Sequence, residues 1–373
     1  MEDERFWQRL DPIDMVDENK QAEISFKIGD TVWKLGEEEA LTVASTDQMS
    51  ETESEAKYLS GQSKELTSES FRRKLKMLLQ EFEEVFKEEL DSETEAVATE
   101  MKIEIKEGES LPKPQKMRRR SQTEEKTIEE WVNKMLKHGF IERTSHVEHA
   151  AQLVVVEKDG KRRVCVDFRR LNEVTVKDIF PQKCADDILA SFHGTKILST
   201  MDATSGFHQV KISIESRDFT AFKVLNGCFR FIRMPFGLVN APAVFNQWLD
   251  SVFKNIEVQR YVDDLIVASA SEEDHLRQLR DVFSACRRNG VKLKPSKCCF
   301  GASECKVLGF LVSSAGIRAD PQKVAAIVSF GVPKSRKDLQ TFLGMCGFYR
   351  RFVRMLAAEE HHMREVSRKR PFK

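Results

Sequence analysis

The chain contains no apolar run of membrane-spanning length, no Gly-x4-Gly-Lys loop, no cysteine pair at zinc-ligand spacing and no internal repeat. Each absence removes a class. Without a membrane-length run no membrane partner is expected. The start Met1-Glu2-Asp3-Glu4 lacks the basic and apolar regions of a signal peptide, so an intracellular location is expected, cytoplasmic or nuclear. Without a phosphate-binding loop the common ATPase reading falls. The eight cysteines, at 165, 184, 228, 286, 298, 299, 305 and 346, form no Cys-x2-Cys pair and have no histidine at zinc-knuckle spacing. They read as free thiols in a reducing compartment.

What is present is an uneven charge distribution over 373 residues whose 40% apolar content can build real cores. The formal net charge is zero, yet residues 1–100 carry 27 acidic and 12 basic side chains, leaving 33 acidic and 48 basic for the remainder. A basic surplus suits a phosphate backbone, although a solvated mixed-charge surface also accounts for much of it.

Two adjacent carboxylates give the sharpest chemical signal. Tyr261-Val262-Asp263-Asp264 lies between Val258 and the apolar run Leu265-Ile266-Val267-Ala268, so the acids are expected at the tip of a β-hairpin, projecting into solvent. A third acid, Asp202, follows the strand-like run Leu198 to Met201. Three carboxylates from two strands make a site for two Mg2+ ions, as used in phosphoryl or nucleotidyl transfer. An adjacent pair alone decides little in a chain that is 32% charged; Asp186-Asp187, followed by Ile188-Leu189, reads as a helix start.

Along the chain, residues 1–70 are acidic, rich in Ser, Thr and Glu, and without sustained period, so a disordered leader is expected. Over 71–90, Leu75, Leu78, Leu79, Phe82 and Phe86 define one helix face, and a linker follows to residue 100. Leu111 to Arg120 reads as an extended basic strap. Ser121-x-x-Glu124 is a capping box for a helix that carries Ile128, Trp131, Val132, Met135 and Leu136 and stops at Gly139. Lys158-Asp159-Gly160 and Asn226-Gly227 mark hairpins. Asn240 and Pro242 open a helix as N-cap and early proline, with Val244, Phe245, Trp248, Leu249, Val252 and Phe253 as its stripe. Leu276 to Cys286 forms another, ending at Gly290. Hairpins in place of repeated βαβ units argue an α+β fold with an antiparallel sheet.

The blocks Val164-Cys165-Val166-Asp167-Phe168-Arg169-Arg170-Leu171-Asn172, Met201 to Gln209, Met234 to Ala243 and Tyr261 to Asp264, in that order, resemble the reverse transcriptase of gypsy-type LTR retrotransposons. The likeness continues through Leu308 to Leu311 and Phe342 to Phe352, covering roughly residues 75–373. It implies a right-hand polymerase fold with fingers and palm at 101–313, a helical thumb at 314–356 and, at 357–373, the truncated start of a connection segment. The implied activity is RNA- and DNA-directed DNA polymerisation without RNase H, protease or integrase. The partners would be an RNA or DNA template-primer duplex and dNTPs, with oligomeric state open. The alternative is a degenerate or domesticated copy that binds nucleic acid or protein without catalysis.

Carried over residue by residue, the resemblance makes Asp202, Asp263 and Asp264 the catalytic acids. The backbone carbonyl of Ala203 is an added ligand for the two Mg2+ ions. Lys158 and Arg163 would grip the dNTP phosphates from their hairpin, a position that otherwise reads as a solvated turn. Phe207 would be a steric gate beneath the sugar, as against a core aromatic, with Phe236 beside it and Gln209 a further contact. Leu308, Gly309, Phe310 and Leu311 resemble the primer grip. From Lys337 to Phe352 a thumb helix is expected, with Leu339, Phe342, Leu343 and Phe348 inward.

Overall fold

The computed structural model describes residues 24–28, 31–35 and 68–368, apart from 93, 95, 96, 98, 146, 159 and 182; at 24–28, 31–35, Lys158, Lys161, Glu359, His362, Val366 and Arg368 only the backbone is described. Most of the expected acidic leader, Asp159 and the last five residues therefore lie outside the described residues. Within the leader, β1 (Ile24–Ile28) and β2 (Thr31–Leu35) pair as an antiparallel hairpin.

The chain divides into two compact units. The larger, over described residues 68–305 with 313–316, opens with α1 (Glu69–Glu81), capped by the Ser68 hydroxyl, which accepts from the Phe71 amide. Its apolar spacing buries Phe71, Leu75 and Leu78. The helix is shorter than its sequence period. Phe86 leaves it to form a bridge with Leu293, and Phe82 and Phe86 pack on Phe283 at 5.7 and 5.4 Å, so tertiary contacts overrule the helical spacing.

Next come β3 (Glu100–Met101) and the strap, which lies extended: Gln115 donates its amide to the Ala150 carbonyl, and Arg120 turns in to the Leu153 carbonyl. Ser121 and Glu124 close the expected capping box on α2 (Gln122–Lys137), and Gly139, at φ +67°, ends it. Then follow β4 (Ile141–Thr144), the hairpin of β5 (Leu153–Lys158) and β6 (Lys161–Val166), α3 (Arg169–Val174) and α4 (Ala185–Ala190), whose first turn holds Asp186 and Asp187.

β7 (Ile197–Asp202), β8 (Lys211–Ile212), β9 (Phe222–Val224) and β10 (Gly227–Phe231) precede α5 (Ala241–Val252). Asn240 does not cap α5 through its side chain. Its amide instead accepts from the Asp178 amide and donates to the Val176 carbonyl, tying down the loop before α4. β11 (Gln259–Tyr261), β12 (Asp264–Ser269), α6 (Glu272–Asn289) and β13 (Cys299–Ala302) complete the unit.

The sheet that positions the acids has the order β11-β12-β7-β13, all antiparallel. Leu198, Met201, Leu265, Ile266 and Val267 are buried in it, and α6 covers β12 with Leu279, Val282 and Phe283. One polar tie crosses this core. The buried His275 imidazole is hydrogen-bonded to the Ser199 hydroxyl at 2.7 Å and the Ser269 hydroxyl at 2.9 Å, and burial pulls its pKa down to about 4. It is therefore a neutral wedge that fixes β7, β12 and α6 together.

A three-stranded sheet follows, of β14 (Glu304–Val307), β15 (Phe310–Ser313) and β16 (Gly316–Ala319); Glu304, Cys305, Ser313 and Gly316 still count with the larger unit, and the smaller one takes the rest of these strands with α7 (Pro321–Val328), α8 (Arg336–Phe348) and α9 (Leu356–Arg368). Leu339 and Leu343 are buried as expected. Phe348 is 46% exposed, and the next residue, Tyr349, takes the interior position because the helix ends there.

Candidate active site

Asp202 is the last residue of β7 and Asp264 the first of β12, and the two are direct partners across the ladder. Like charges directly opposite destabilise a sheet, so the apolar rungs behind them, Leu265 with Met201 and Ala268 with Leu198, must hold the register. Tyr261 pairs with Asp264, leaving Val262 and Asp263 as the two turn residues. Val262 sits at φ +53°, a conformation that costs a β-branched side chain about 1–3 kcal/mol. The Ala203 amide fixes the turn by donating to the Asp263 carbonyl at 3.2 Å.

The acids do not project freely into solvent. All three are half-buried. Burial, then the charges of Asp202 and Asp264, push the Asp263 carboxyl up to about 6, with Lys297 pulling the other way. Asp264 is raised by burial and by Asp202, again opposed by Lys297. Asp263 Oδ1 is buried without a hydrogen-bond partner. It faces Gly206, where a Cβ would come within 3.3 Å of that oxygen and 2.9 Å of the Phe245 ring, so only glycine fits.

Concentrated carboxylate charge, only partly offset by Lys297, with an orphaned oxygen is a donor set that fits a hard divalent cation. The set is not closed. Among the described residues no three His, Cys, Asp or Glu side chains form a ready-made ligand cluster, and Asp202 gives both oxygens to Lys297 at 2.9 and 3.1 Å. Sequence reasoning missed Lys297. Its only signal is the Lys294-Pro295-Ser296-Lys297 turn, and what places it is the Lys294 amide donating to the Asp202 carbonyl at 2.8 Å.

Phe207 follows Asp202 on a 3-10 turn over Gly206–Gln209 and is 8% exposed. Its ring lies 4.9 Å from Phe236 and 5.4 Å, edge-on, from Phe245. Phe236 is 55% exposed, so the pair forms an aromatic shelf with one wet face. Gln209 does not belong to that surface. It is 2% exposed, donates to the Thr204 and Lys292 carbonyls and accepts from the Lys292 amide, and so braces the chain behind the acids. Ala203 is buried beside Asp202. Arg163 is exposed on β6 opposite Val156; the Lys158 side chain lies outside the described residues.

Leu308 to Leu311 belong to the other unit. Leu308 at φ +51° and Gly309 at φ +83° make the turn between β14 and β15, and the Tyr349 hydroxyl donates to the Gly309 carbonyl at 3.1 Å. Phe310 is buried, stacked on Phe348 at 4.9 Å, and Leu311 is partly exposed.

Comparison with known proteins bears on family and fold. The family described as "Reverse transcriptase (RNA-dependent DNA polymerase)" matches residues 155–312. The retrovirus-related Pol polyprotein from transposon 297 of Drosophila melanogaster is 36% identical over 241 residues, 62% of this chain and 23% of that protein. The corresponding polyprotein from transposon 412 of the same organism is 32% identical over 310 residues, 81% of this chain and 25% of the other. The chain thus spans about a quarter of the length of the curated relatives it matches. A foamy viral protease-reverse transcriptase solved in complex with RNA/DNA hybrid superposes with a TM-score of 0.77 at 19% identity, over 92% of this chain and 49% of that one. A second, in complex with double-stranded DNA, gives 0.77 at 20%, over 97% and 68%. At such identities the superpositions establish the fold, a retroviral-type polymerase fold. Residues 155–312 thus belong to the reverse transcriptase family, and the chain around them is similar to Pol polyproteins of LTR retrotransposons.

Proposed function

We propose that the chain is a gypsy-type RNA- and DNA-directed DNA polymerase that transfers dNTP-derived nucleotides to a primer 3′ end. Residues 101–313 serve as fingers and palm, 314–356 as thumb, and 357–373 as the start of a connection segment. The observation that carries the reading is the pairing of Asp202 with Asp264 across β7 and β12, with Asp263 in the adjoining turn holding a buried, unpartnered oxygen. Complexes of the structural neighbours with RNA/DNA hybrid and duplex DNA support a template-primer as the partner.

Asp202 and Asp263, with the Ala203 carbonyl, are the groups to hold Mg2+, and Asp264 sets the charge and spacing of the pair. When bound, two Mg2+ ions supply Lewis acidity that eases deprotonation of the 3′ hydroxyl and offsets triphosphate charge. The chain's own contributions are positional. The β5–β6 hairpin presents Arg163, whose planar guanidinium suits bidentate capture of phosphate oxygens. The ring of Phe207, held by Phe236 and Phe245, fills the volume a ribose 2′ hydroxyl would need. The Leu308–Gly309 turn presents backbone to a primer terminus.

Primer extension on poly-rA and on DNA templates tests this directly. Asp263→Asn is expected to lower extension by orders of magnitude while duplex binding persists, and Asp186→Asn, in the first turn of α4, is expected to leave it intact. Duplex binding without extension by the unmodified chain would favour the non-catalytic alternative.

A further inference from the structure

Cys299 and Cys305 stand apart from the other thiols. Their sulfurs are 3.8 Å apart. Cys299 opens β13 opposite Thr200 of β7 and is partly exposed, while Cys305 is 4% exposed and its thiol also leans on the Leu198 carbonyl at 3.9 Å. Both therefore lie against the strand that ends in Asp202. Between them the chain turns through Gly301, at φ +64°, packed so closely on Phe71 that a Cβ would meet its ring at 2.8 Å. This corner holds the thiols together before any reaction.

We infer that Cys299 and Cys305 form a peroxide-oxidisable dithiol, a modification site outside the polymerase chemistry. Cys299 is the attacking member: the Cys305 thiol donates to its sulfur and stabilises the thiolate, holding Cys299 below the usual thiol range, whereas Cys305 is pushed well up by that same contact and by burial. The thiolate attacks one oxygen of hydrogen peroxide, the O–O bond breaks, and a sulfenic acid and water result. The Cys305 sulfur then attacks the sulfenic sulfur, forming the S–S bond and releasing the second water. Two thiols and one peroxide give one disulfide and two waters. Closing the gap to bonding distance needs a movement of about 2 Å, within reach of χ1 rotation at either residue.

The neighbouring thiols do not compete for this partner. Cys298, which closes the Pro295–Lys297 turn just before β13, donates its thiol to the Lys294 carbonyl and is raised to about 12 by burial. Cys286 is buried and raised further. Cys165 and Cys184 are exposed and can be oxidised singly.

The test is peroxide titration of the full chain, followed by alkylation of remaining thiols under denaturing conditions and mass mapping. Chymotryptic cleavage after Phe300 separates the two cysteines, so the 299–305 disulfide appears as a cross-linked peptide pair. Expected are loss of two alkylatable thiols as that pair, at least tenfold faster than oxidation of Cys165 or Cys184. The same disulfide should form in Cys298→Ser, and a dimedone-trappable sulfenic acid at Cys299 should persist in Cys305→Ser. Cys299 and Cys305 still alkylated when Cys165 is fully oxidised, or a disulfide joining Cys298 instead, would overturn the inference; mapping of the unmodified chain decides this even if a variant fails to fold.

Discussion

Lys297 and Asp202 form a two-point ion pair, the ammonium lying 2.9 Å from one carboxylate oxygen and 3.1 Å from the other. A built-in cation thus sits on the carboxylate proposed to hold a metal ion, and the two compete for the same charge. The lysine side chain is 56% exposed, so the pair is worth at most about 1 kcal/mol. Lys297→Met is therefore expected to tighten Mn2+ binding by about two- to fivefold. The measurement is the Mn2+ midpoint for thermal stabilisation, and an unchanged midpoint would show that the pair and the metal do not share Asp202.

The pH dependence of stability follows from Asp263. Its carboxyl is raised from 3.8 to about 6 in the folded chain. The native state therefore holds the proton more tightly than the unfolded state. The stabilisation this brings is complete below about pH 3.8 and gone above about 6. Asp263→Asn stays neutral throughout, so its stability gain over the unmodified chain should be greatest above pH 6 and fade towards pH 4. After discounting for partial exposure the gain is about 1–2 kcal/mol at neutral pH. Denaturant titrations of both chains between pH 4 and 8, without metal, would show it; a constant offset would mean the cost lies elsewhere.

Much of this site was legible because local chemistry and global fold agree. The Ser121–Glu124 box, the Gly139 and Gly290 stops, the Gly160 position between β5 and β6 and the strands around Asp263 all follow from short-range rules that the tertiary structure does not overrule. What escaped depends on long-range pairing. Lys297 reaches Asp202 because the Lys294 amide and the start of β13 dock beside the end of β7, and no sequence period encodes which strand is the neighbour. Gln209 misled for the same reason. Its position near Phe207 suggested a nucleotide, but the approach of Lys292, 83 residues on, consumes its amide. Phe86 shows helical spacing losing to a strand bridge with Leu293.

Sugar selection is the next test. Phe207→Val removes the ring and leaves more than the room a hydroxyl needs beneath the ribose, so ribonucleotide incorporation should rise relative to deoxynucleotide. The ring also packs on Phe236 and Phe245, and its loss should cost about 1–3 kcal/mol of stability. Both effects should appear together. Lowered stability with unchanged discrimination would mark Phe207 as a core residue only.

Relief of the strained turn separates geometry from charge. Val262 holds φ +53° between Tyr261 and Asp263, and glycine adopts that angle without steric cost. Val262→Gly should therefore lose little stability despite the entropy that glycine adds to the unfolded chain, with the two terms, each about 1 kcal/mol, nearly cancelling. Extension should nevertheless fall, because a glycine turn no longer holds Asp263 rigidly beside Asp202, and the loss should be partly recovered at higher Mg2+. An extension defect that Mg2+ leaves unchanged, in a chain of unaltered stability, would place the role of Val262 in contact with the primer or nucleotide instead of in fixing the carboxylate.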